Sequence, residues 1–234
     1  MLEVNKINSF YGKFQVLYDV SIKVDTGELV VVFGPNGHGK STLLKTLCGL
    51  HPSASGSVKF NGEETTKWSA IKLVESGIVY IAEDRQLFPQ MTVLENLKLG
   101  AYNTNARSKE AENLEYVLGL FPRLKERLNK QAQTLSGGEA RMLAIGRGLM
   151  SNAKFLAMDE PSFGLAPYLR TEVFKKISDI NKSGITVLLV EQDVAEASEL
   201  ADRIYLMEDG KIVFEGGKEE VMRNKHVKEV FLGL

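Results

Sequence analysis

Residues 29–41 read Leu-Val-Val-Val-Phe-Gly-Pro-Asn-Gly-His-Gly-Lys-Ser, an unbroken apolar run leading into a glycine-rich turn. The run Leu29–Phe33 has no polar face, the mark of a central strand buried on both sides. The turn, Gly34, Pro35, Asn36, Gly37, His38, Gly39, Lys40 and Ser41, fits the pattern G-x-x-x-x-G-K-S/T. A helix is expected from Lys40 to about Leu50, and strand–turn–helix is the context that gives this pattern its meaning. Glycines let backbone N–H groups curl around phosphate oxygens without obstruction, and the helix adds its positive N-terminal end. Lys40 would reach the β- and γ-phosphates, and the Ser41 hydroxyl would bind Mg²⁺.

Outward from this stretch the patterns alternate. Residues 2–8 and 16–24 alternate apolar and polar side chains and read as strands. A short strand is expected at 57–60, with Asn61-Gly62 as a hairpin turn. A helix at 70–76 is stopped by Gly77, and a buried strand follows at 78–82. From about Thr92 to Ser151 the pattern turns helical and more charged. Thr92-Val-Leu-Glu95 has capping-box form, and further helices are expected at 108–120, ended by Phe121-Pro122, and at 138–150. Strands return at 155–158, 186–190 and 203–207, with a helix over 167–181. Asp209-Gly210 turns the chain into a strand at 211–215, and two short helices close it. The expected architecture is one α/β unit, with a core of residues 1–83 and 154–234 and a helical insertion at roughly 84–153.

The strand at 155–158 delivers Asp159 and Glu160 at its carboxyl end, where open α/β sheets bind ligands. Asp159 can hold Mg²⁺ through water, and Glu160 can orient and deprotonate an attacking water. No Asn-Lys-x-Asp sequence accompanies them, so the usual guanine-reading element is missing.

Leu135, Ser136, Gly137, Gly138 and Glu139 form a second glycine-rich helix start. On physical grounds it is either a further anion site or a plain cap by Ser136. Lying about twenty residues before Asp159, it resembles the signature of ABC-transporter ATPases. That resemblance covers the whole chain. It implies a P-loop (RecA-like) core, an antiparallel β subdomain and an inserted α-helical signature subdomain. It also implies that the signature of one subunit closes over ATP held by another. Tyr11 matches the aromatic that stacks on adenine; the alternative is a core or surface tyrosine. Thr42 joins the nucleotide contacts by the same resemblance, and Glu83 falls near Mg²⁺ and the attacking water.

The resemblance narrows further. Glu83-Asp-Arg85-Gln-Leu-Phe88-Pro89, Met91-Thr92-Val93, residues 159–167, Val190-Glu-Gln192 and Val230-Phe-Leu-Gly233 are similar to the smaller ATPase subunit of branched-chain amino-acid importers. This implies a partner ATPase, as a heterodimer or a homodimer, with two permeases and an extracytoplasmic binding protein. It implies a place on the cytoplasmic face of the cell membrane, held there by the permeases. The segment around Arg85, Phe88 and Pro89 is implied to receive a permease helix; ordinary packing of the insertion explains Phe88 as well.

The sequence departs from the wider family at Glu83, commonly Gln, and at Gln192, commonly a His that contacts the γ-phosphate. Gln192 can donate a hydrogen bond but cannot become cationic. The site is therefore expected to lean on Glu160 and to hydrolyse slowly. Ala166 replaces a frequent Asp, Asp84 stands where the subgroup usually has Gly, and His38 replaces a common Ala, with its side chain expected to point outward.

Composition excludes other classes. With 29 Lys+Arg against 30 Asp+Glu the net charge is −1, so the basic excess of a general nucleic-acid binder is missing. One cysteine, Cys48, rules out an intrachain disulfide or a cysteine-built zinc site and is expected buried and inert. No apolar run approaches the roughly 20 residues of a membrane span, and the start lacks the form of a secretory signal. The reading is a soluble cytoplasmic protein. Trp68 is open as a surface or subunit contact, and His51 and His226 read as surface residues. The alternatives are the ATPase of a related urea or amide importer, an exporter or lipid-transport ATPase, and a non-transport ABC ATPase. The last usually carries a coiled coil, zinc modules or two cassettes in one chain.

Overall fold

The computed structural model describes residues 1–192 and 194–223. His226 and the ending Val230-Phe-Leu-Gly233 lie outside the described residues. In chain order the strands are β1 (Leu2–Tyr11), β2 (Phe14–Val24), β3 (Leu29–Phe33), β4 (Ser55–Phe60), β5 (Glu63–Glu64), β6 (Ile78–Ile81), β7 (Phe155–Asp159), β8 (Thr186–Glu191), β9 (Arg203–Glu208) and β10 (Lys211–Gly216). The helices are α1 (Lys40–Leu47), α2 (Ala70–Ser76), α3 (Val93–Gly100), α4 (Thr104–Arg107), α5 (Glu110–Leu120), α6 (Pro122–Glu126), α7 (Gly137–Leu149), α8 (Pro167–Lys182), α9 (Val194–Ser198) and α10 (Lys218–Arg223).

The strands form two sheets. One is antiparallel, ordered β2-β1-β4-β5. The other, ordered β10-β9-β3-β8-β7-β6, is parallel except for the β9–β10 hairpin. Strand β3 is buried along its whole length, as its apolar run demands. Leu29, Val31 and Phe33 pack on one face with Leu156, Leu189 and Ile177. Val30 and Val32 pack on the other with Leu43, Leu44, Val20 and Val24. Each such side chain contributes about 1.5–3 kcal/mol on burial. The second face brings α1 and the antiparallel sheet together over the parallel one.

Between β6 and β7 the chain builds helices α3–α7. Thr92 and Glu95 form the expected capping box on α3. Gly77, at φ 104°, caps α2 in the left-handed region. Several details differ from the sequence reading, among them the end of α1 at Leu47 in place of about Leu50. Pro122 ends α5 but also opens α6 at its first position, where a missing N–H costs nothing. The helix expected from residue 108 begins at Glu110, after the separate turn α4, which is capped by Asn103. Helix α9 has no counterpart in the sequence reading, because five residues show no usable periodicity. Cys48 is buried beside α1, and burial pushes its thiol up to about 12, so it stays an unreactive thiol. Trp68 packs partly buried with Lys72 Nζ 3.7 Å from its ring centre.

Candidate active site at the carboxyl edge of the parallel sheet

Strands β3, β6, β7 and β8 run parallel and end on one edge, so the loops after them converge. They carry Gly34–Lys40, Glu83, Asp159 with Glu160, and Gln192 respectively. The register sets Phe33 opposite Glu191 and Asp159 opposite Val190, which aligns the strand ends.

The phosphate loop turns on Gly37 (φ 81°) and Gly39 (φ 100°), conformations that side chains disfavour. Lys40 opens α1 and is only 3% exposed. Its Nζ donates to the carbonyls of Gly34 (2.7 Å) and Pro35 (3.1 Å) and lies 3.3 Å from Glu160 Oε1. The Ser41 hydroxyl donates to Asp159 Oδ1 at 2.9 Å, and the Tyr80 hydroxyl donates to Asp159 Oδ2 at 2.7 Å. Both oxygens of Asp159 are thereby oriented. Glu160 holds φ 43°, a strained value for a non-glycine residue. Its N–H is tied to Val190 O at 3.0 Å, so the backbone bend turns its carboxylate toward Lys40. The Gln192 amide donates to that same carboxylate.

Lys40, Ser41, Thr42, Glu83, Glu160 and Gln192 line one cavity of about 300 Å³, together with Asn36, Gly37 and Gly39 of the phosphate loop. Burial, then the nearby Glu160 and Asp159, raise the Glu83 carboxyl above the usual range. A cation or a proton would relieve that crowding. Among the described residues no group of three His, Cys, Asp or Glu is set to hold a metal. Ser41 and Asp159 instead present two adjacent hard oxygens with Glu83 facing them. That donor set fits Mg²⁺, which keeps several waters and takes phosphate oxygens for the rest of its shell.

Other expected residues stand apart. His38 does not line the cavity. Its Nδ1 accepts the Asp209 N–H at 2.9 Å, so the ring leaves the loop, as expected, but docks on the β9–β10 turn. Tyr11 stands at the tip of the β1–β2 hairpin, 47% exposed and stacked on His51. Leu135, Ser136, Gly137, Gly138 and Glu139 are not brought to the phosphate loop of their own chain. Ser136 and Glu139 form a capping box at the start of α7.

Four functional neighbours escaped the sequence reading. Tyr80 braces Asp159, as above. Glu191, 2% exposed, accepts the N–H groups of Ser162 (3.0 Å) and Gln192 (3.3 Å), joining the loops after β7 and β8. Arg141 donates to the carbonyls of Ala82 (3.1 Å) and Glu83 (2.8 Å). Arg147 donates to those of Gln86 (2.7 Å) and Arg85 (3.2 Å). Both arginines lie on α7, within a stretch from Ala140 to Leu149 whose other residues are apolar and mostly buried. A charge inside such a stretch was the available signal.

Comparison with known proteins agrees with this geometry. The sequence profile of the ABC transporter family matches residues 17–163. The chain belongs to that family, as its nucleotide-binding, ATP-hydrolysing cassette. It is similar to the high-affinity branched-chain amino acid transport ATP-binding protein BraG of Pseudomonas aeruginosa, with 45% identity over 100% of both chains. It is also similar to a nucleotide-free ATP-binding cassette from an ABC transporter, with TM-score 0.88 and 30% identity over 100% of this chain and 99% of that one. A dimeric cassette bound to ADP and Pi matches with TM-score 0.78 and 26% identity, over 93% of this chain and 99% of that one.

Proposed function

We propose that this chain powers the import of branched-chain amino acids, as one of two ATPase subunits beneath two permeases. The full-length identity with BraG carries this reading. The residues on the sheet edge supply the chemistry it needs. Backbone N–H groups of residues 36–39 cradle the phosphates, and Lys40 neutralises the β- and γ-phosphates. Ser41 and Asp159, with Glu83, would hold Mg²⁺, which when bound neutralises charge on the phosphate oxygens. Glu160 accepts the proton of the attacking water, and Gln192 orients Glu160 and the γ-phosphate. Tyr11 stacks on the base, and Thr42 contributes to phosphate binding.

The signature residues 135–139 act on ATP held by the partner subunit, which fits their distance from their own phosphate loop. Residues 1–83 and 154–234 serve as the ATPase core, with roughly 84–153 as a helical subdomain. A groove of about 450 Å³ lined by Arg85, Phe88, Leu99 and Arg147 seats a permease helix. Among the described residues no helix is long and apolar enough to cross a membrane. In this reading the permeases supply the transport path and hold the chain at the cytoplasmic face.

The test is reconstitution of the complex with its binding protein in liposomes. Labelled leucine should enter in an ATP-dependent way, and Glu160→Gln should lower uptake and ATP turnover about 100-fold or more while ATP still binds. Undiminished turnover would remove Glu160 from its role. Purification of the chain with ribosomes or DNA, in place of two polytopic membrane proteins, would overturn the transport reading.

A further inference from the structure

The rings of Tyr11 and His51 stack with centroids 4.2 Å apart and planes 26° from parallel. Their sites are far apart in sequence and are brought together by two fixed pieces of backbone. Tyr11 pairs with Phe14 at the tip of the β1–β2 hairpin. His51 follows α1, the helix whose first residue is Lys40. The end of α1 is tightly set: Leu50 and His51 N–H groups both bond Lys45 O, at 2.8 and 3.2 Å. Gly49, at φ 68°, fits where a Cβ would lie 2.9 Å from Leu73 Cδ1 and from Trp68 O. Beyond His51, the buried Ser9 hydroxyl donates to Pro52 O at 3.0 Å, and Ala54 N–H bonds Asn8 O at 2.8 Å. Thus α1 and the tight turn after it lead from the phosphate loop to His51, and the chain just beyond is fastened to β1 two residues from Tyr11.

The His51 ring gains no hydrogen bond at Nε2, which is buried without a partner. Burying an unpaired polar nitrogen is unfavourable, and a ring swung into solvent would recover a partner in water. What the observed position offers is the stack on Tyr11.

We propose that His51 is a positioning residue of the base subsite, backing Tyr11 on one face so that the other receives the nucleotide base. This rests on the reading that Tyr11 stacks on the base. A tyrosine at a hairpin tip would otherwise lose rotamer freedom on binding. Restraining it beforehand lowers that cost and tightens nucleotide binding.

The experiment measures equilibrium binding of ATP and of inorganic tripolyphosphate, which lacks a base, to the full chain and its variants. His51→Ala should weaken ATP about three- to tenfold, the size of an aromatic stacking effect, and leave tripolyphosphate unchanged. His51→Phe should restore ATP binding. Equal loss for both ligands would mean that His51 only supports the fold, and the proposal falls. If Tyr11→Ala weakens ATP while His51→Ala does not, the base reading stands and the role of His51 falls. If Tyr11→Ala leaves ATP binding unchanged, the base reading itself fails and takes this inference with it.

Discussion

The side-chain amide of Gln192 donates to the carboxylate of Glu160 across the gap between the loops after β7 and β8. Lys40 Nζ lies 3.3 Å from the other carboxylate oxygen. The base is therefore held between a neutral donor and a cation, with no imidazole among the residues lining the cavity. Gln192→Leu should lower kcat about ten- to a hundredfold, less than the roughly 10²–10⁴-fold of a proton acceptor itself, because Gln192 only orients Glu160. The kcat–pH profile of the unaltered protein should show no inflection in the histidine range. Steady-state ATP turnover between about pH 5.5 and 8.5 checks both. An inflection that disappears in Gln192→Leu would contradict the assignment.

Glu191 should make stability depend on pH. Burial pushes its carboxyl up to about 7 from an ordinary value of 4.5, against the hydrogen bonds from Ser162 and Gln192. A carboxyl raised on folding binds more protons folded than unfolded, so stability falls as pH rises between the two values. The contribution is absent below about 4.5 and fully unfavourable above about 7. The gap corresponds to roughly 3 kcal/mol at its largest. Thermal unfolding of the Glu191→Gln variant and the parent should therefore diverge with rising pH, the variant being the more stable of the two at about pH 8. A parallel pair of curves would show that the carboxyl is not titrating there.

Arg147 should govern the loop that carries Glu83. Arg85 and Gln86 adopt φ 62° and 46°, and the carbonyls of both are held by Arg147. Arg147→Ala should cost about 2 kcal/mol through two lost charge-assisted hydrogen bonds. It should also speed amide exchange over residues 82–88. Arg147→Lys should recover only part of this, because an ammonium lacks the planar fork that spans two carbonyls. Urea unfolding and hydrogen exchange measure the two effects.

Gly210 should be irreplaceable by alanine. At φ 74°, it would place a Cβ 2.0 Å from Val16 O. Its N–H bonds His38 O at 3.1 Å and its carbonyl accepts the Tyr18 N–H at 2.9 Å. The turn is thus wedged between the phosphate loop and β2. Gly210→Ala should destabilise by about 2–3 kcal/mol, the sum of backbone strain and overpacking. It should also weaken nucleotide binding by displacing His38. Denaturant unfolding with nucleotide titration reads both, and unchanged values would mean that the turn can shift freely.

The local motifs were legible because their chemistry is local. Leu29–Phe33 can only be a strand covered on both faces, and Gly37 and Gly39 can only be a turn into α1, since backbone conformation and apolar burial act over a few residues. The end of β7 announced Asp159 and Glu160 for the same reason, whereas Gln192 was marked only by the family resemblance. The Glu160 bend at φ 43°, the bridge from Glu191 to Ser162, and the grip of Arg141 and Arg147 on the loop after β6 were not legible. Each pairs groups on different elements, and which partners meet is set by sheet order and helix packing. His51 is the clearest case. Alone it reads as a surface histidine after a helix, and only the fastening of Pro52 to Ser9 brings it against Tyr11. Sequence by itself determined the class of chemistry, because phosphate binding needs particular residues in one short run. Tertiary structure decided how those residues are held, because orientation at a buried site depends on neighbours that sequence distance conceals.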